Sequence, residues 1–357
     1  MVDTTHSQAD DNTSDERWGM IDDLSAALAN EHRRHARGDS LLVEDVVGQA
    51  EASLRKIRAG STPCIATQSV GDLLPGYWAH IGRRRECATT GFTRLDDALG
   101  GGLESQRLLV LLGAPGVGKT AFTNQVADHV ANSGRPVLYV TSEDRPYDLL
   151  AKTLARIGQV KCYTAVLKGW ETERTKINAA LAMAAERKSS ERLRYVDASS
   201  GLALSTMKAL AEEHFTRYTQ AGQGVLIVDY LQRLARAQRD LVGTGRDLRE
   251  VVTLLTEQLR AVAVDLDCTV LALASQNRAS GYNGNNSLAS AKESGDIEYT
   301  SDALMALVED TKRQPGTSFL EARLLRIDKN RQGRVTGDAP IQLDWWPDRQ
   351  MFTDVAR

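Results

Sequence analysis

Gly113-Ala114-Pro115-Gly116-Val117-Gly118-Lys119-Thr120 fits G-x-x-x-x-G-K-[ST], the phosphate-cradling loop that joins a strand to a helix. Its flanks fit the pattern. Leu108 to Leu112 is an unbroken apolar run, as expected of a parallel strand buried on both faces. Ala121 to Ser133 carries Phe122, Val126 and Val130 four residues apart and meets Gly134, which predicts a helix with a glycine stop. In such a loop the glycines let backbone N–H groups close on phosphate oxygens, and the helix N-terminus adds partial positive charge. Lys119 is expected to reach the β- and γ-phosphates of ATP and Thr120 to place its hydroxyl on Mg2+. The nucleotide-binding set is therefore Gly113, Ala114, Pro115, Gly116, Val117, Gly118, Lys119, Thr120 and the following Ala121.

Outward from the loop, the remaining strands read as a series. Pro136 to Val140 is a second apolar run, ending in Thr141-Ser142-Glu143-Asp144. Carboxylates after a parallel strand stand where open α/β sheets bind ligands. Gly224-Val225-Leu226-Ile227-Val228-Asp229 is a third, and its terminal aspartate suits support of the magnesium ion. Thr269 to Ala274 is a fourth, ending in Ser275-Gln276. Residues 146–192 read as mostly helical, Tyr195-Val196 as a short strand and Leu202 to Gln220 as a helix. Arg233 to Arg249 is polar and arginine-rich and is expected to be a mobile basic loop before a helix over 247–266. Residues 279–290 are rich in Gly, Asn and Ser and read as a flexible loop. Strands are expected near 303–308, 320–328 and 340–344, with a basic turn from Asp328 to Gly333. Strands alternating with helices predict an α/β fold, a mostly parallel sheet with helices on both faces.

The N-terminal quarter differs in character. Residues 1–17 are polar and acidic and are expected to be a disordered tail. Residues 18–68 contain two amphipathic stretches, one through Met20, Ile21, Leu24 and Leu28 and one from Val43 to Ile57. They predict a small helical region that needs a partner surface. Residues 69–88 read as a linker helix broken at Pro75-Gly76, with Arg83-Arg84-Arg85 as a solvated face. The main domain is then 89–357. The 357-residue chain has a net charge of −3, so nucleic-acid binding requires a local basic patch. The four cysteines form no C-x-x-C pair and read as reduced thiols rather than a metal centre. No run of about 18 apolar residues exists, and the N-terminus lacks an apolar signal core. A cytoplasmic protein without membrane contact is expected.

From Thr89 onward the sequence resembles the ATPase domain of DnaB-type replicative helicases, within the RecA-like group. The resemblance rests on ordered motifs: Gly113 to Thr120, Ser142-Glu143, Asp197 to Gly201, Val228-Asp229-Tyr230-Leu231-Gln232, Ser275-Gln276, Lys292-Glu293-Ser294-Gly295, Asp302, and Lys329-Asn330-Arg331-Gln332-Gly333. The Gly100-Gly101-Gly102-Leu103 lead-in looks more like the RadA and KaiC branch. The resemblance implies that Glu143 polarises the attacking water, Asp229 supports magnesium and Gln276 senses the γ-phosphate. It also implies that Lys329 and Arg331 reach a neighbouring subunit's nucleotide, with Arg331 as the arginine finger. Lys292, Glu293 and Gly295 would track single-stranded DNA, joined by Arg236, Arg239 and Arg246 from the other loop. The implied activity is ATP-driven helicase or translocase action, of the 5'-3' type, by a homo-oligomeric ring, by resemblance a hexamer. Residues 1–68 do not look like the family's larger helical N-terminal domain. Residues 18–68 are thus the expected contact for a loader, a primase or a mobile-element or defence partner. A RecA- or KaiC-like ATP switch that does not unwind DNA is the alternative.

Overall fold

The computed structural model describes residues 69–78, 87–160, 162–218, 223–242, 248–275, 295–314, 319–337 and 339–355, plus helical positions 25, 28, 29 and 50. The expected tail at 1–17, most of 18–68 and the loop at 279–290 lie outside these residues. The chain divides into two compact units, 1–77 and 78–357. In the first, α1 (Val70–Leu73) is opened by Ser69, whose hydroxyl accepts from the Asp72 N–H while the Asp72 carboxylate accepts from the Ser69 N–H. This reciprocal pair satisfies two donors that a helix start leaves unpaired. The α-helix stops at Leu73, and Pro75 and Gly76 lie in a 3-10 turn, Leu74–Gly76, that follows it directly, since proline supplies no N–H to an α-helical hydrogen bond.

The second unit opens with α2 (Thr93–Leu99), β1 (Arg107–Gly113), α3 (Lys119–Asn132), β2 (Val137–Thr141) and α4 (Pro146–Ile157). Helices α5 (Tyr163–Lys168), α6 (Arg174–Glu186) and α7 (Ser189–Arg192) lead to β3 (Leu193–Asp197). There follow α8 (Leu204–Thr216), β4 (Val225–Asp229), α9 (Leu231–Val242), α10 (Leu248–Asp265) and β5 (Thr269–Ser275). The chain closes through α11 (Gly295–Thr300), β6 (Ala303–Glu309), β7 (Glu321–Asn330), β8 (Ile341–Trp346) and β9 (Met351–Asp354). The strands form one sheet in the order β3-β2-β4-β5-β1-β6-β7-β8-β9. The first six are mutually parallel. From β6 to β9 the pairing is antiparallel.

Both faces of the parallel part are covered. Leu109 and Leu111 of β1 pack with Phe122 and Val126 of α3, whereas Leu108, Val110 and Leu112 pack with Leu255 and Leu259 of α10. That two-sided burial is why β1 is apolar from Leu108 to Leu112. The register places Gly113 beside Ser275 and Thr141 beside Asp229 and Asp197. The carboxyl ends of five strands thus share one edge. Among the described residues, no helix is long and apolar enough to cross a membrane.

Three expectations need correction. Residues 233–242 are not a loop but most of α9. Leu231, Leu234 and Ala235 are buried, an i, i+3, i+4 stripe, and Arg233 and Arg236 occupy the exposed side. The basic turn is shorter than expected, since Asp328, Lys329 and Asn330 extend β7. The expected last strand is followed by another, β9, which closes an antiparallel meander against α3. Gln125 and Phe352 exchange two hydrogen bonds there, at 2.9 and 2.8 Å. Rings of Phe92, Phe122, Phe352 and Trp345 touch in sequence beneath the loop, the first and last pairs stacked and Phe122 edge-on to Phe352, with centroids 4.8, 5.5 and 4.3 Å apart.

Candidate active site

The loop between β1 and α3 has the backbone its glycines allow. Gly116 and Gly118 take φ of 86° and 102°, values costly for residues with a Cβ. A Cβ on Gly118 would also meet the Phe352 ring at 2.8 Å, and one on Gly113 would meet the Leu307 carbonyl at 2.8 Å. Lys119 Nζ donates to the carbonyls of Gly113 (2.7 Å) and Ala114 (3.0 Å), folding the side chain back along the loop. Burial pushes the Lys119 ammonium pKa down, opposed by the negative charge of Asp229 and Glu143.

These groups line one cleft of about 350 Å³, which contains Gly116, Lys119, Thr120, Glu143 and Asp229. Asp229 ends β4 and is 2 % exposed. Its carboxylate accepts from the Tyr139 hydroxyl at 2.8 Å, and that hydroxyl lies 3.0 Å from the Thr123 hydroxyl. Burial raises the Asp229 pKa from 3.8 to about 6, with Asp144 and Glu143 adding to the rise and hydrogen bonds from Tyr139 and Thr120 opposing it. A buried carboxylate beside a threonine hydroxyl offers two hard oxygens, which suits Mg2+ held mainly by phosphate and water oxygens; among the described residues no group of three or more His, Cys, Asp or Glu is gathered to hold a metal by itself. The residues therefore fit the nucleotide and metal assigned to them.

The raised pKa has a measurable consequence without metal or nucleotide. The folded Asp229 keeps its proton to about pH 6, the unfolded one to about pH 4. Across that window the unfolded chain binds fewer protons, so raising the pH costs the folded state on the order of 2–3 kcal/mol. Asp229→Asn is expected to remove that share. In chelator, the unfolding free energy from urea titration should fall less between about pH 4 and about pH 7 in the variant than in the wild type. Equal losses in the two proteins would remove the burial account of Asp229.

Tyr139, Lys152, Trp345 and Gln350 join the site without a signal in the sequence. Tyr139 is an interior position of an apolar strand. Asp144 pairs with Lys152 at 3.3 Å, and Lys152 lies over the Tyr163 ring at 4.6 Å. Trp345 and Gln350 line the cleft from the C-terminal meander. Gln232 follows the expected aspartate and ties α9 to β5, donating to the Ser275 carbonyl and accepting from the Ser275 N–H, each at 3.1 Å.

Lys329 and Arg331 do not join the cleft of their own chain. The Arg331 guanidinium donates to the Asp302 carboxylate (3.2 Å) and to the Tyr299 carbonyl (2.8 Å). Lys329 donates to the carbonyls of Glu298 and, at 3.1 Å, Tyr299. Burial and the neighbouring Arg331 push the Lys329 pKa down. Asp302 also takes Arg260 at 2.8 Å and accepts from the Leu108 N–H at 3.1 Å. This cluster therefore stands where β1 begins, and the phosphate loop stands where β1 ends. The seven residues of β1 separate the two by roughly 20 Å at about 3.3 Å per residue. Arg236 is exposed on α9 and Gly295 begins α11. Gln276, Lys292, Glu293 and Arg246 lie outside the described residues, as does the side chain of Arg239.

Similarity to known proteins agrees with this geometry. The replicative DNA helicase DnaB of Haemophilus influenzae is 26% identical over 250 residues, 69% of this chain and 51% of that protein. The chain thus spans about half the length of that relative. A shorter stretch of 67 residues, 19% of this chain and 14% of that protein, is 46% identical to the DNA repair protein RadA of Aquifex aeolicus. Among solved structures, a DnaB-like replicative helicase studied for its interactions with primase superposes with a TM-score of 0.73 at 15% identity, covering 98% of this chain and 77% of that one. The expected mostly parallel, doubly covered sheet is the fold of that ATPase group. Residues 88–354 match the family described as DnaB-like helicase C terminal domain, and the chain belongs to that family.

Proposed function

We propose that the chain is an ATP-hydrolysing helicase or translocase motor that works on single-stranded DNA as a ring of identical subunits, a hexamer by family likeness. The observation that carries this is the division of the catalytic groups between two ends of the sheet. Lys119, Thr120, Glu143 and Asp229 share a cleft at the carboxyl ends of the strands. Lys329 and Arg331 stand at the other end. A complete site then requires the cleft of one subunit against the Arg331 edge of the next, which makes turnover depend on assembly.

Within the cleft the loop amides and Lys119 bind and orient the phosphates. Thr120 and Asp229 hold Mg2+, which when bound neutralises charge on the β- and γ-phosphates. Glu143 orients and deprotonates the attacking water, Gln276 senses the γ-phosphate, and Arg331, with Lys329, completes the charge neutralisation from the adjoining subunit. Exposed Arg236 with Arg239 and Arg246, and Lys292, Glu293 and Gly295, contact the DNA backbone without reading sequence. Movement is of the 5'-3' type. Residues 18–68 form a small helical region that engages a loader, a primase or a mobile-element or defence partner, and the protein works in the cytoplasm.

The RadA-like stretch supports a second reading, a RecA- or KaiC-like ATP switch that does not unwind DNA. One experiment separates the two. ATP hydrolysis is measured with and without single-stranded DNA, on a sample whose mass is read in the same buffer. The motor reading expects a ring-sized species whose turnover rises about tenfold or more with DNA, a transition-state gain of roughly 1.4 kcal/mol. Slow, DNA-indifferent turnover would replace it with the switch.

A further inference from the structure

Arg323 is a buried cation outside every motif the sequence offers. It lies on β7 between Glu309 of β6 and Leu343 of β8 and is 4 % exposed. Its Nε donates to the carbonyl of Val117, inside the phosphate loop, at 3.1 Å. One terminal nitrogen donates to the Ala322 carbonyl at 3.1 Å, and the other pairs with the Glu321 carboxylate. Three acceptors therefore fix the plane of the guanidinium, a geometry that an ammonium cannot reproduce.

We propose that Arg323 is a positioning residue for the phosphate cradle: by holding the Val117 carbonyl it sets the Val117–Gly118 peptide so that the Gly118 N–H faces the phosphates. The link is covalent geometry. Carbonyl and N–H of one trans peptide point in opposite directions. A carbonyl anchored to Arg323 behind the loop sends the next N–H to the opposite side, where Gly116, Gly118 and Lys119 line the cleft. The neighbouring carbonyl, that of Gly118, is occupied by the Phe122 N–H at 2.9 Å. Gly118 has free rotation for want of a Cβ, so an unanchored Val117–Gly118 peptide could turn its N–H away. The antiparallel meander thus contributes a fastening that the parallel core alone lacks. This inference rests on the reading of the cleft as a nucleotide site.

The test compares wild type, Arg323→Met, Arg323→Lys and Lys119→Ala in the full chain. Affinity for a fluorescent ATP analogue and for ADP, each with Mg2+, is read beside the melting temperature and the KM and kcat for ATP. Arg323→Met should weaken nucleotide binding about tenfold to a hundredfold, as expected for loss of a charge-assisted hydrogen bond. KM should rise with kcat changed much less. Arg323→Lys should fall between it and the wild type. A folded Arg323→Met protein with wild-type affinity and KM, whatever its melting temperature, overturns the proposal. Should the methionine variant not fold, the lysine variant decides, and wild-type affinity there overturns the proposal equally. A wild-type chain that binds nucleotide no better than Lys119→Ala overturns the underlying site reading instead.

Discussion

Replacing Glu143 by glutamine is expected to lower ATP turnover by about two to four orders of magnitude, the contribution typical of a positioned general base, with nucleotide binding retained. The reasoning begins with what shares the cleft. Three carboxylates line it, those of Glu143, Asp144 and Asp229. Asp229 is buried, accepts from Tyr139 and has its pKa raised to about 6; it is placed to hold a cation rather than a water. Asp144 is engaged by Lys152 at 3.3 Å, an ion pair that ties its carboxylate to α4 rather than leaving it to a water. Glu143 remains, exposed to the cleft and near enough to Lys119 to act on its pKa. Glutamine keeps the shape and can still orient a water but cannot take its proton. Single-turnover hydrolysis in the assembled protein, beside titration with the fluorescent ATP analogue, separates chemistry from binding. Asp144→Asn serves as the control and should retain most of its turnover. Wild-type rates in Glu143→Gln would remove it as the base and move attention to Asp144.

The parts of this site that were legible in the sequence are those written locally. The phosphate loop, the strand before it and the helix after it occupy consecutive positions, so glycine spacing and apolar runs identify them together. Asp229 and Glu143 were legible because both follow strands buried on two faces, which leaves an unmistakable apolar run before each. What was illegible is what depends on contacts distant in sequence. Arg323 bonds to Val117 across 206 positions, and Gln125 to Phe352 across 227. No periodicity within β7 or β9 announces those partners. Helix α9 is hard to read from sequence for a different reason. Among its described side chains the buried stripe is Leu231, Leu234 and Ala235, set between arginines, and composition outweighs spacing. The meander is less legible because alternation with helices predicts parallel strands, whereas β7 to β9 follow one another, among the described residues, with no α-helix between them, only the 3-10 turn Pro347–Arg349 before β9.

Replacing Arg331 by alanine is expected to leave the ring assembled but lower turnover by about a thousandfold or more, the range found when an arginine finger is absent. The loss should be a loss of chemistry, not of folding. Arg331 is 43 % exposed, and its partner Asp302 keeps Arg260 at 2.8 Å after the substitution. Asp302 therefore retains a cationic partner, and the stability cost should stay near about 1 kcal/mol or less, as for exposed ion pairs. The separation across β1 makes the trans arrangement testable by mixing. A ring of Arg331→Ala and Lys119→Ala subunits contains interfaces at which an intact phosphate loop, from the first, faces an intact Arg331, from the second. Activity should reappear there although each variant alone is inactive. A site complete within one chain predicts no recovery at any ratio, because every chain carries a lesion. Dilution of wild-type subunits with either variant supplies the control: a steep fall in activity marks a concerted ring, in which single restored interfaces do not turn over, whereas a proportional fall without recovery in mixed rings verified by mass takes the finger role from Arg331.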